Sequence, residues 1–146
     1  MSSLQMPKVD SSILSKKDKI VSDIGRIINP KNVLSHPDEL RPFETDGLTA
    51  YRQMPLLVVM PETVEEVSQI LKYCNENKIK VVPRGAGTGL SGGSMPLEDC
   101  VLIAMGKFNK IIEIDYFSIR ISGTYFSVPA FLHFQFSPLS SGLYFI

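Results

Sequence analysis

Hydrophobic and polar positions divide the chain into short blocks with distinct periods. Leu56, Leu57, Val58, Val59 and Met60 form a continuous apolar run of strand length, the pattern of a strand buried on both faces, and Pro61 ends it. Thr63 followed by Glu66 fits a capping box, after which Val64, Val67, Ile70, Leu71 and Cys74 recur at helical spacing up to Asn77. Ile79, Lys80, Val81 and Val82 supply the next strand. Strand, helix and strand make one βαβ unit, which predicts parallel strands and a right-handed crossover. Two further strands are predicted at residues 100–105 and 111–115, joined by a turn over 106–110. The four strands together would form a partial sheet with exposed edges. Upstream, Ile13, Leu14, Ile20, Val21, Ile24, Ile27 and Ile28 mark one face of a helix that begins near residues 10–12, with Lys16, Lys17 and Lys19 on its wet side. Asn29 and Pro30 stop it, and residues 35–38 and 44–47 read as turns. Arg41, Asp46 and Arg52 are within reach of a ligand there but are read as solvated loop charges.

Between the second and third of these strands the pattern changes. Five of the ten glycines fall in nine residues, within the run Pro83, Arg84, Gly85, Ala86, Gly87, Thr88, Gly89, Leu90, Ser91, Gly92, Gly93. Without Cβ atoms such a chain can take positive φ at several successive positions, so that consecutive N–H groups face one concavity and hold phosphate or another anion. Arg84 adds a positive charge at its entrance. A flexible linker is the competing interpretation, but a linker would not sit between the β-branched run Val81-Val82 and the run Val101-Leu102-Ile103. The loop also lies where open α/β sheets bind ligands, at the carboxyl end of a parallel strand.

Gly87, Gly89 and Gly92 formally satisfy GxGxxG, and Glu113 lies about twenty residues on. The dinucleotide fingerprint nevertheless needs a helix after its third glycine. Here only residues 94–99 separate the loop from the next strand, and they include Pro96. No Lys-Ser or Lys-Thr pair follows for a Walker-type loop. A strand, loop, strand arrangement gripping a phosphate chain by backbone amides remains.

The stretch 46–52 (Asp46-Gly47-Leu48-Thr49-Ala50-Tyr51-Arg52), then 55–59, then 83–93 and Met95-Pro96-Leu97, closely resembles the FAD-linked oxidases and dehydrogenases of 2-hydroxy acids. That family includes the flavin subunit of bacterial glycolate oxidase and D-lactate dehydrogenases, and shares the flavin domain of vanillyl-alcohol oxidase and p-cresol methylhydroxylase (PCMH). The match runs over residues 40 to 116. It implies an α+β fold with an α/β-like βαβ start: the N-terminal part of a PCMH-type FAD-binding domain, a small mixed sheet with flanking helices, incomplete. It also implies that residues 83–90, together with 91–93, hold the FAD pyrophosphate. In the family the flavin accepts a hydride from C2 of a 2-hydroxy acid such as glycolate or D-lactate, giving the 2-oxo acid. Some relatives attach the flavin through a histidine in this loop. None is present here, so non-covalent FAD is expected. FAD, the 2-hydroxy acid and other oxidase subunits are the implied partners.

After Tyr116 the resemblance breaks. Residues 117–146 hold six of the eight phenylalanines and six serines, with Arg120 as their only charge. A frameshift, a gene split or a wrongly predicted exon would give such a tail. A membrane anchor fits less well, because Pro129, Pro138 and several polar residues interrupt it and a spanning helix needs about 20 apolar residues. The expected organisation is a helix and lead-in over 1–39, a partial FAD-binding domain over 40–116 and a divergent tail over 117–146. The family's flavin domain continues further, and its substrate domain carries the catalytic histidines. No catalytic residue is assigned here, and the chain by itself is expected to bind FAD weakly or not at all and to be inactive. The alternative is a non-catalytic remnant or interaction fragment of a split gene.

Composition adds bounds. Formal net charge is zero, with 15 basic and 15 acidic residues, and no basic cluster is interleaved with aromatics, so nucleic acid is an unsuitable partner. The polar start Met1-Ser2-Ser3-Leu4-Gln5 does not resemble a secretory signal, and a cytoplasmic setting is expected. Cys74 and Cys100 suit neither a zinc site nor a redox pair and are read as buried, reduced thiols. His36 and His133 lack partners at ligand spacing, and no metal site is expected.

Overall fold

The structure, a computed structural model, describes residues 7–115 and 120–125. The N-terminal apolar face forms two helices instead of the single one expected, α1 (Ser11–Leu14) and α2 (Lys17–Ile24). The break lies at Ser15 and Lys16. The Ser15 hydroxyl donates to the Ser12 carbonyl at 2.9 Å, and Lys16 leaves helical geometry at φ −99°, ψ 8°, the local competition for backbone groups by which serine ends short helices. Ile13, Ile20, Ile24 and Ile28 are all buried despite the break. Leu14, by contrast, points outward.

Asn29 caps a 3-10 turn over Pro30–Asn32, which runs into strand β1 (Val33–Leu34). The predicted turn at 35–38 is instead the start of a one-turn helix, α3 (Pro37–Leu40), because His36 and Glu39 form a capping box around Pro37. Strand β2 (Leu57–Val59) and helix α4 (Val64–Glu76) follow. The Thr63 side chain accepts from the Glu66 N–H at 3.2 Å and Glu66 accepts from the Thr63 N–H, as the sequence predicts. Strand β3 (Lys80–Arg84) and strand β4 (Cys100–Ala104) complete the unit.

The sheet order is β1-β2-β4-β3, with β1 antiparallel to β2 and β4 parallel to both β2 and β3. This is the small mixed sheet with flanking helices expected from the sequence. Its membership differs from the prediction: β1 joins it, whereas β5 (Asn109–Asp115) pairs antiparallel with β6 (Arg120–Tyr125) in a separate two-stranded sheet. Two residues of β1 carry too little periodicity to be seen in sequence. The pairing of β5 lies in a partner beyond residue 116, where no strand was expected. Residues 126–146, His133 among them, lie outside the described residues.

Side-chain alternation assigns the strands' residues to two faces. Leu57, Val59, Val101 and Ile103 pack with Ile13, Ile20, Ile24, Ile28, Ile70 and Cys74 of the helical layer. Val58, Leu102 and Ala104 pack with Leu40, Phe43, Met54 and Met60 on the other side. Every residue of β4 is buried, which accounts for its uninterrupted apolar composition. Residues 13–34 therefore share one core with residues 57–104. The N-terminal strap is pinned at the amino ends of β3 and β4. There the buried Asp99 accepts from the Lys80 ammonium and the Asp10 N–H, each at 2.7 Å, and Lys80 donates also to the Lys8 carbonyl. Burial alone would raise the Asp99 pKa, but these donors bring it below the ordinary carboxylate value.

Candidate functional site

The glycine run leaves β3 at the carboxyl end of the sheet and returns, without a helix, to the amino end of the adjacent parallel strand β4. Pro83 and Arg84 are the last residues of β3. Pro83 is tolerated because β3 is an edge strand, where a missing N–H breaks no ladder bond. Residues 85–93 form the loop itself. Ala86, Thr88, Gly89, Leu90, Ser91 and Gly93 are exposed, whereas Gly85, Gly87 and Gly92 are partly covered. Leu90 is 76% exposed, an unusual position for a leucine in a loop that otherwise carries small residues.

Positive φ occurs at Gly87 (70°) and Gly92 (75°) and at no other glycine of the loop. The expectation of several successive positive-φ glycines is thus corrected: the chain reverses hand twice, at positions 87 and 92, each time between neighbours of ordinary φ. A single left-handed residue beside a right-handed one is enough for a two-residue amide nest. Arg84 also differs from its expected role. Its guanidinium turns back under the loop, donating to the Thr45 carbonyl at 2.6 Å and the Phe43 carbonyl at 3.5 Å, and lies 5.7 Å from the Phe43 ring centroid. A Cβ on Gly87 would come within 2.5 Å of that guanidinium. Burial draws the Arg84 pKa below its ordinary value, opposed by the charge of Asp46. Arg84 clamps the root of the loop to the segment that precedes β2.

That segment is the part sequence reasoning undervalued. Asp46 was read as a solvated loop charge, yet it is only 4% exposed. One carboxylate oxygen accepts from the Leu48 N–H at 2.9 Å, the other from the Ser94 N–H at 3.3 Å. The first bond is a local Asx turn, which the Asp-Gly pair does signal; the second spans 48 residues and has no local signature. Gly47 lies directly against the loop. A Cβ there would stand 2.6 Å from the Thr88 carbonyl oxygen and 2.8 Å from that of Gly89. Arg41 and Arg52 stay outside this cluster: Arg41 pairs with Asp38, both exposed, and the exposed Arg52 pairs with the partly buried Glu44.

The two carbonyls at Gly47 set the direction of the loop's amides. A planar trans peptide points its C=O and N–H to opposite sides, and no cis bond is present among the described residues. With the Thr88 and Gly89 oxygens turned to Gly47, the N–H groups of Gly89 and Leu90 both point away from it, toward the exposed side. Neither donates to another group among the described residues. Adjacent outward amides beside a hand reversal at Gly87 can donate to an anionic oxygen. A cavity of about 120 Å³ lined by Ile13, Lys16, Ile20, Tyr73 and Ile79 shares no residue with this loop and is far smaller than a cofactor pocket, roughly 300–1,000 Å³. Among the described residues no group of His, Cys, Asp and Glu could hold a metal, and no helix is long and apolar enough to cross a membrane.

Known proteins resemble the chain in sequence and in fold. Residues 55–124 match the family model of the FAD binding domain, eight residues beyond Tyr116. The glycolate oxidase subunit GlcD of Escherichia coli K12 is 51% identical over 83 residues, 57% of this chain and 17% of that protein. The mitochondrial D-2-hydroxyglutarate dehydrogenase of Arabidopsis thaliana is 40% identical over 104 residues, 71% of this chain and 18% of that protein. The chain thus spans less than a fifth of the length of these relatives. The structure of p-cresol methylhydroxylase with substrate bound superposes with a TM-score of 0.63 at 26% identity, over 76% of this chain and 23% of that one. Residues 55–124 thus resemble the FAD binding domain family in sequence, and the fold is that of the matching part of p-cresol methylhydroxylase.

Proposed function

We propose that the chain supplies the diphosphate-holding part of the FAD site of an oxidoreductase that converts a 2-hydroxy acid to the 2-oxo acid. Residues 83–93 hold the FAD pyrophosphate in this reading. The observation that carries it is the shared outward direction of the Gly89 and Leu90 amides, fixed by carbonyls that rest on Gly47. Backbone amides suit a diphosphate because they provide several donors in fixed positions without a side chain to displace. The bound flavin would supply the hydride-accepting chemistry. The residues described here bind and orient the nucleotide; none is assigned to proton transfer or substrate binding. FAD is held non-covalently, since the loop contains no histidine. The 2-hydroxy acid substrate and association with other oxidase subunits belong to the same reading and rest on the relatives' names, whereas the domain limits 40–116 rest on the sequence resemblance and the cytoplasmic setting on the polar N-terminus.

The test is amide NMR of the full chain, 15N-labelled, titrated with ADP and with FAD. Shifts at Gly87, Gly89, Leu90 and Ser91 that saturate, with β4 amides unmoved, support the reading. A folded chain whose loop amides stay unchanged at millimolar ADP overturns it. Loss of 2-hydroxy-acid-dependent dye reduction is expected when the chain is assayed alone.

A further inference from the structure

We propose that Asp46 and Gly47 are positioning residues for the glycine loop, acting as a two-residue seat that orients its amides; the inference rests on the diphosphate reading above. Contacts from the loop and from the residue that follows it converge on this seat and on the residue next to it. The Ser94 N–H, at the loop's far side, is received by the Asp46 carboxylate at 3.3 Å. The Thr88 and Gly89 carbonyls, at its tip, lie against the bare α-carbon of Gly47. Leu48, the next residue, packs toward Gly92 with a methyl carbon 3.6 Å from where a Cβ would stand. The seat is itself held, because the other oxygen of Asp46 closes its own turn on the Leu48 N–H, and Arg84 grips the neighbouring Thr45 carbonyl.

The chemistry explains why these two residue types are needed together. The Asp46 carboxylate is buried and receives only main-chain N–H groups as hydrogen-bond donors, so its charge is matched by the amides it orders and by the nearby Arg84. Charge-assisted bonds of this kind are stronger than neutral ones. Asparagine in its place keeps one accepting oxygen but turns an NH₂ toward the second amide, and so must release one partner. The longer bond, to Ser94, is the one released. Gly47 acts by absence. Any Cβ would overlap two carbonyl oxygens of main chain, which cannot swing aside as a side-chain tip can. The loop would have to lift, and its outward amides would rotate with it.

Two variants of the full chain, Asp46→Asn and Gly47→Ala, are compared with Gly106→Ala, whose Cβ meets nothing within 4 Å. Hydrogen exchange is read at Ser94 and at the β4 amides, and ADP affinity is read from loop shifts. In Asp46→Asn the Ser94 amide is expected to exchange at least tenfold faster, with β4 protection retained. Gly47→Ala is expected to move the Thr88 to Leu90 shifts in the free protein. Both should weaken ADP binding about tenfold, the equivalent of one lost charge-assisted bond, while Gly106→Ala behaves as the parent. Unchanged Ser94 exchange and unchanged ADP affinity in both variants, beside a parent that binds ADP, would overturn the seat and leave the diphosphate reading intact. Faster Ser94 exchange in variants of a parent whose loop ignores ADP supports the seat and overturns the diphosphate reading instead.

Discussion

Glycines of equal appearance in the sequence carry unequal demands in the loop. Gly87 has φ +70° and lies against the Arg84 guanidinium, so Gly87→Ala is expected to cost about 1–2 kcal/mol in urea unfolding through left-handed strain alone. Gly89 has ordinary φ and open space where a Cβ would point. Gly89→Ala should change stability by less than about 0.5 kcal/mol, either way, and so separates the loop's folding requirements from its ligand requirements. The thiols provide a second residue-scale test. Burial pushes both Cys74 and Cys100 up to about 11, so neither is a nucleophilic thiolate at neutral pH. Iodoacetamide at pH 7.5 should label neither cysteine in the folded chain and both in urea, as read by mass spectrometry. What sequence conveyed at this scale was residue type, not direction. The run of glycines announced an amide loop, but the inward turn of Arg84 depends on carbonyls about forty positions away, which no local pattern records.

Among the elements, those with a signalled boundary were the legible ones. Thr63 and Glu66 announced α4, and its observed span ends one residue short of Asn77. Thr63→Ala is expected to cost about 1 kcal/mol in thermal or urea unfolding. Among the elements missed were β1, two residues long and held by β2, a partner distant in sequence, and β6, which pairs with the expected strand β5 beyond residue 116, where the resemblance was taken to end. The N-terminal helices are a further case, since their apolar face was evident but the break at Ser15 was not. Their attachment depends on Asp99. Because that carboxyl is depressed in the folded state below its ordinary 3.8, its stabilisation is complete above that value and is lost as pH falls below it. Asp99→Asn should therefore destabilise the chain by about 2 kcal/mol at pH 7. The difference from the parent should shrink under acid, followed by circular dichroism melts between pH 7 and 3.

At the scale of the whole molecule, the four-stranded sheet has both faces covered, with the glycine loop at the carboxyl end of β3. The buried runs of β2 and β4 made the two-sided burial readable, because only a central strand tolerates apolar residues at every position. Sheet order was less readable, since it depends on which strands meet after α4 has crossed over. Ligand at the loop should be felt throughout this core. At a concentration ten times its dissociation constant, ADP is expected to add about 1.4 kcal/mol to unfolding stability, visible as a rise in melting temperature, whereas adenosine, which lacks the diphosphate, should add none.

The contact between Gly47 and the Thr88 and Gly89 carbonyls also imposes an order of events in time. Its two sides flank β2, α4 and β3, so the intervening chain must be closed into a long loop before they can meet, and such closures come late in folding. In pulse-labelling during refolding, the Ser94 amide should therefore gain protection with or after those of β4, and never ahead of them.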